Sequence, residues 1–358
     1  DYYRRYTTDM YTASVALPAV YGTGSPKGNN AEMKTDGWEL SLSWRDSFKL
    51  GGKPFDYSIK AMVWDSKSVI TKYVNDTGSL GTVKGFIENG GSPSSYYVGM
   101  TVGEIWGYTV AGLFRDQADI DSSAIHDFVQ ASDKVTRPGQ VKIADLDGNG
   151  FIDPGNFAVD DHGDLRIIGN QSPRYRYGVN LSARWNGIGL SVFLQGVGAR
   201  DWYPGSDAGM FWGKYGRPFF ALIPSIHNYT DDMYSAERNN WDTAYWPRMT
   251  TYQSNGTKNW TRLLEIPNTR YIQSAAYLRV KNIQLDYSFP KHICSAIRLQ
   301  GLKIYVNAEN LFTFTPLHKY APNFDPEGLS YDSDFASAAD GYTYPILKSV
   351  TVGVNITF

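Results

Sequence analysis

The stretch Lys348–Phe358, read KSVTVGVNITF, constrains the fold more than any other part of the chain. Lys348, Val350, Val352, Val354, Ile356 and Phe358 fall on one side of a period of two. Ser349, Thr351, Gly353, Asn355 and Thr357 fall on the other. One face is almost wholly apolar and the other is small and polar, which is the pattern of a strand between two unlike surroundings. Two architectures supply such surroundings. A sandwich strand has a core side and a water side; an outer-membrane barrel strand has a lipid side and a lumen side.

The same alternation recurs along the chain. Residues 1–12 mix aromatic and polar side chains as a strand would, and 13–36, with two prolines and several glycines, reads as a loop. Trp38, Leu40, Leu42 and Trp44 alternate with polar residues, as do Phe55, Tyr57, Ile59, Ala61 and Val63, so these two runs predict a hairpin across 46–54. A turn is expected at Asp65–Lys67, returning Ser68–Asn75, and a further strand over Thr101–Phe114. Tyr175–Trp185 leads into Asn186-Gly187, a pair suited to positive φ at both turn positions, and Leu190, Val192 and Leu194 begin the return strand. Within 276–289 the apolar residues switch from even to odd positions, which predicts a bulge near Lys281-Asn282. Leu302–Glu309 and the terminal run complete about ten strands.

Link lengths carry information of their own. Short links (46–54, 186–187, 290–301) alternate with long ones (13–36, 115–173, 198–274, 315–345). An up-and-down barrel with short periplasmic turns and long outer loops has that rhythm. It closes here only if 76–98 is an unusually long periplasmic link. Trp44, Trp185, Tyr287 and Phe289 stand at strand ends beside the short turns, where amphipathic rings suit a headgroup boundary. Aromatics make up 15% of the residues, with 26 Tyr and 10 Trp, which fits such girdles or a stacking surface. A net charge of −2 gives no basic footprint for nucleic acid. Cys294 is single, so no internal disulfide forms. No apolar run approaches the ~18 residues of a membrane helix. With no initiator Met and no leader sequence, Asp1 reads as a processed start or the interior of a longer chain.

Several segments together resemble the C-terminal barrel portion of the SusC-like TonB-dependent transporters of the Bacteroidetes outer membrane. They are Val102–Tyr108 (VGEIWGY), Gly139–Gly150 (GQVKIADLDGNG), Ile168–Pro173 (IGNQSP), Tyr177–Asn180 (YGVN), Ser191–Gly196 (SVFLQG), Tyr277–Ile283 (YLRVKNI), Asn310–Phe314 (NLFTF) and Asn355–Phe358 (NITF). They stand in the family's order from about Glu39 to the last residue. The resemblance implies an all-β fold, a transmembrane antiparallel β-barrel of about 22 strands with a plugged lumen. Residues 1–358 would be its C-terminal part, and the plug and TonB-contacting segment lie upstream in the family. It further implies import of glycans or peptides, a SusD-like surface lipoprotein over the outer loops, and TonB as a partner through the N-terminal part. A non-transporting adhesin or structural barrel, and a secreted carbohydrate-binding sandwich, are the rival readings.

Three sets of residues are candidates for function. Asp145, Asp147, Asn149, Phe151 and Asp153 match the first nine positions of a calcium loop, with side-chain oxygens at alternate positions, a glycine at the sharp turn and a backbone carbonyl after it. Position twelve is Asn156 rather than a bidentate Glu, and Asp160 or Asp161 could replace it. A solvated Asp/Gly turn is the plainer alternative. Trp202, Tyr203, Trp212, Tyr215, Trp241, Trp246 and Trp260 crowd one long loop, where they could meet sugar rings or a partner protein, or pack on one another as that loop's own core. Val350, Val352, Val354, Ile356 and Phe358 form the terminal strand expected to serve barrel assembly. Enzyme signatures such as His-Glu-x-x-His or Gly-x-Ser-x-Gly do not occur, and the five histidines are scattered without metal-ligand spacing.

Overall fold

The computed structural model describes residues 1–13, 20, 22, 26–75, 78–81, 96–126, 136–204, 208–212, 232–248, 266–329 and 346–358. Its main feature is one antiparallel sheet of eight strands in sequence order. These are β1 (Tyr2–Ala13), β2 (Lys27–Leu50), β3 (Lys53–Lys72), β4 (Arg174–Trp185), β5 (Ile188–Ala199), β6 (Tyr277–Ser288), β7 (Gly301–Phe314) and β8 (Ser349–Thr357). The sheet is not closed. β1 and β8 are its edges, and β1 reaches along β2 only from Lys27 to Trp38.

Register puts the alternation to use. Leu40 faces Val63, Leu42 faces Ala61 and Trp44 faces Ile59. Ile59 then faces Leu181, Leu181 faces Val192, and Val192 faces Ile283. Ile304 and Val306 continue the row to Val354 and Val352. All of these side chains share one face. Nothing among the described residues packs a second sheet on it. Leu40 is 60% exposed, Val350 65% and Val352 73%, and Val354, Ile356 and Phe358 are equally open. A sandwich would bury that row, so the sandwich reading fails.

The links now alternate without an exception. Gly51-Gly52 and Asn186-Gly187 make two-residue turns with positive φ throughout, and the third short link holds the helix Lys291–Ala296. The other end of the sheet carries 14–26, 73–173, 200–276 and 315–348. Among the described residues the wall has eight strands where about ten were expected. Asp65–Lys67 is no turn, because Asp65 is buried with Arg174 bound to it at 2.6 and 2.5 Å, and β3 runs straight to Lys72. Thr101–Phe114 is no wall strand. Glu104–Tyr108 pairs with Leu165–Asn170 and Val110–Leu113 with Val141–Ile143, in two small sheets inside the loops. The 13–36 loop is shorter than expected, since Tyr3 lays its ring across Gly37 and β2 already begins at Lys27. A side chain at Gly37 would stand 2.3 Å from that ring. The phase switch in β6 is real: both neighbours slip register between Val280 and Asn282.

Buried apolar residues lie mostly in the long links rather than on the sheet. One cluster joins Leu113, Trp202, Phe211, Trp246, Tyr271 and Leu317; another joins Leu80, Tyr108, Ile143, Ile152 and Leu165.

If the apolar face meets lipid, Val352→Arg in the full-length polypeptide will cost roughly 2–4 kcal/mol, while Asn355→Arg on the opposite face will cost little. The yield of folded, heat-modifiable protein in membranes measures both. Equal loss from the two changes would contradict the assignment of faces.

Candidate functional site

The second face of the sheet is largely polar, with Met62 and Phe193 meeting over Gly178 as apolar exceptions. Ser58 and Ser182 hydrogen-bond at 2.8 Å, and the Asn282 amide donates to Asn307 at 2.8 Å. Asp286 is only 6% exposed and lies against Gly189, where a Cβ would come within 2.6 Å of its carboxylate. Arg184 and Lys303 approach it at 3.6 and 3.4 Å from either side. Arg45, Asp56, Gln284, Tyr305 and Thr351 extend this wall and line shallow hollows along it. Such a surface suits water and polar solutes and suits neither acyl chains nor a dry core.

At the end of the sheet with the long links, the loops fold back over the polar side. Arg279 sits just before the bulge of β6 and is 2% exposed. Its guanidinium binds both oxygens of Asp325 at 2.7 Å and Glu327 at 2.8 Å, and donates through Nε to Thr313. Lys281 and the Tyr277 hydroxyl also reach Glu327. Arg200, also buried, donates to the carbonyls of Pro326 and Leu329. Two arginines, one in β6 and one just past the end of β5, therefore hold the 325–329 turn. Sequence reasoning passed over them; the one available signal was an arginine inside an otherwise apolar strand end, Tyr277–Val280.

The aromatic residues of the 198–274 region take the core role. Trp202, Tyr203, Trp212 and Trp246 are each under 5% exposed. Trp202 packs on Phe324 at 5.0 Å, and Trp246 and Trp212 pack on Tyr271 at 5.7 and 5.5 Å. Tyr245 stacks on Tyr320 at 3.6 Å. At these four positions the rings pack on one another, the arrangement of a loop with its own core. Trp241 is half-buried against the same cluster. Tyr215 and Trp260 lie outside the described residues.

The acidic loop is ordered by its own side chains. Asp145 accepts the N–H groups of Gly148 and Gly150 at 2.6 and 2.9 Å. Asp147 accepts that of Asn149, Asn149 that of Phe151, and Asp153 that of Gly155. A further carboxylate reaches the loop from Asp164, which neither spacing nor motif pointed to. It is fully buried and accepts the N–H groups of Leu146 and Asp153 at 2.6 and 3.0 Å. Asp145, Asp147 and Asp164 bring carboxylate oxygens within 4.8 Å of one another. Burial raises the pKa of Asp164, and the charges of Asp147 and Asp145 add to the rise. The Gly150 N–H holds Asp145 below its ordinary value. Asp161 instead bonds Asn156 within the loop. Three converging carboxylates form an all-oxygen set that fits a hard divalent cation. Of the histidines, His126 is a packing residue. It is buried against Phe114, and its Nε2 accepts the Ile143 N–H.

A sheet with an apolar outward face, a polar inner face and long links at one end is the wall of an outer-membrane β-barrel. No protein-family profile matches the sequence. Among curated proteins, TonB-dependent receptor P3 of Formosa agariphila is 25% identical over 366 residues, covering 100% of this chain and 32% of the relative. TonB-dependent receptor P26 of the same organism is 22% identical, again over 100% of this chain and 32% of its own length. Among solved structures, that of the RagAB peptide transporter superposes with a TM-score of 0.62 at 17% identity, covering 100% of this chain and 32% of that one. The RagAB peptide importer in its "open-open" state gives 0.62 at 18%. The chain is thus homologous to TonB-dependent receptors along its whole length, and spans about a third of the length of the curated relatives it matches.

Arg279→Met leaves Asp325 and Glu327 without their buried cation, a change of the kind that costs roughly 3–5 kcal/mol. Limited proteolysis of the full-length protein will show faster cleavage near 325–329 with the barrel itself intact. Unchanged cleavage would show that the arginine does not hold the turn.

Proposed function

We propose that this chain forms part of the barrel wall of a TonB-dependent importer that carries an oligosaccharide or a peptide across the outer membrane. The observation that supports it most is the two-faced sheet, combined with homology to receptors of this class along all of its length. In this reading the polar wall, with Asp286, Arg184, Lys303 and the amides around them, borders a wet lumen. Energy enters through TonB acting on a plug outside this chain. The loop end, where Trp202, Phe211, Trp246 and Tyr271 pack with the 317–329 segment, is the outer mouth, and a SusD-like lipoprotein would seat there to deliver cargo. The chain performs no chemistry of its own. The test is growth of a strain lacking the full-length gene on defined oligosaccharides and on peptides as sole nutrients. Loss of growth on one class, restored by the intact gene but not by a variant unable to engage TonB, is the expected result and names the cargo. Full growth on both classes would favour a non-transporting barrel.

We further propose that Asp145, Asp147 and Asp164, with Asn149, Asp153 and the Phe151 carbonyl alongside, hold a structural calcium ion. What supports this is the convergence of three carboxylates around a loop whose turns are already formed. The ion would offset their mutual repulsion and stiffen the 141–164 region. Calcium binding by the purified full-length protein will fall by roughly tenfold or more in Asp147→Asn, because ligand charge sets affinity at such sites. Absence of bound ion at millimolar calcium would rule the site out.

A further inference from the structure

The outward face changes character abruptly at Trp38. Asp46 sits on that row below Trp44, so the apolar stretch starts at Trp44, and Lys34–Trp44 has the length of one tilted crossing, roughly 9–11 residues. Beyond Trp38, β2 and β3 continue away from the short turns, β1 now pairs with β2, and the same row of outward positions becomes charged. Tyr2 faces Trp38, Arg4 faces Asp36 and Tyr6 faces Lys34 across the β1–β2 ladder. Lys67 faces Asp36 from the other side. No register shift falls between these positions and Leu40, so they share its face.

The charges there do not balance. Arg4 Nε lies 2.5 Å and Lys34 Nζ 3.0 Å from the Asp36 carboxylate. Lys67 is exposed and has no ion-pair partner among the described residues. The neighbouring acids are already matched, Asp65 with Arg174 and Glu32 with Lys72. Three cations thus stand around one carboxylate, which pairs with only two of them. Tyr2 and Tyr6, 67% and 64% exposed, flank them with rings suited to a headgroup boundary. A surplus of positive charge at that depth calls for an anion that lipid supplies.

We propose that Arg4, Lys34 and Lys67 form a binding site for the phosphate of an anionic lipid in the outer leaflet. The phosphate takes the place of the missing carboxylates, with the Tyr2 and Tyr6 rings against the sugar or glycerol beside it and Trp38 against the upper acyl chain. The site rests on the barrel reading of the outward face and is independent of what the barrel carries.

The test uses the full-length protein in nanodiscs of phosphatidylcholine doped with phosphatidic acid, released into detergent for native mass spectrometry. The wild-type protein will retain phosphatidic acid in preference to phosphatidylcholine. The Arg4→Gln/Lys34→Gln/Lys67→Gln variant will lose that preference, by roughly fivefold for each cation removed. Asp36→Asn, which removes the competing carboxylate and leaves all three cations, will retain more phosphatidic acid than wild type. Lys67→Gln alone, at an exposed position with no partner to lose, keeps the test valid should the triple variant fold poorly. Equal retention of the two lipids by wild type, or undiminished preference in Lys67→Gln and the triple variant, would overturn the site. Neither TonB nor cargo is present in this measurement, so its failure is separable from failure of the import reading.

Discussion

In hydrocarbon a peptide N–H or carbonyl has no water to turn to, and each one left unpaired costs several kcal/mol. That constraint shapes the whole wall. From β2 to β7 every strand has a hydrogen-bonded neighbour on both sides, and the short links waste almost no backbone: two are two-residue turns and the third is a helix that bonds itself. The bulge at Val280–Asn282 keeps pairing intact on both sides while shifting the phase of β6, so that apolar residues stay outward above and below it. Where pairing stops, along Leu40–Leu50 beyond the end of β1 and along the outer edge of β8, the wall presents bare ladders of the kind a barrel satisfies by closing.

A wall one strand thick has no interior, and the hydrophobic burial that steadies an ordinary domain must be found elsewhere. Here it is found in the loops. Trp202, Phe211, Trp212, Trp246 and Tyr271 pack edge to face or stacked within a few ångström, drawing in Leu317 and Phe324 from the link after β7. Aromatic rings bury much area for little rotamer freedom, which suits segments without long regular elements. Arg279 and Arg200 then fasten this cap to the inner wall through full sets of charge-assisted bonds. The geometry of the loop end is therefore set by the loop core and two buried cations, with the sheet as their base.

Charge follows the same division of space. On the inner wall, Asp286 lies between Arg184 and Lys303, and polar residues predominate from β2 to β8. On the outer wall of β2 and β3, charged groups are absent between Trp44 and Leu40 and resume at Asp65, held by Arg174, and at Asp36, Lys34 and Lys67. In the loops, carboxylates gather at Asp145, Asp147 and Asp164 in a frame of backbone N–H donors. Each arrangement matches the dielectric around it.

Strand faces, the Asn186-Gly187 turn and the phase switch in β6 were all legible in the sequence, because a period of two and a turn that needs positive φ are local facts. The rhythm of short and long links was legible in outline. What the chain could not reveal locally was whether an alternating run belongs to the wall or to a loop. Thr101–Phe114 alternates like a wall strand, yet Trp106 and Tyr108 are buried among loop residues. Asp65–Lys67 looks like a turn until Arg174, far along the chain, neutralises the aspartate. Asp164 joins Asp145 only because the loop closes on itself, and Trp202 and Trp212 prove to be core only because Phe324 arrives from another link and Tyr271 from the far end of their own. Sequence alone determined the two-faced ribbon, since side-chain direction in a strand depends on nothing beyond neighbours in the chain. Tertiary structure decided which polar and aromatic groups meet, since burial and charge pairing depend on partners tens or hundreds of residues away.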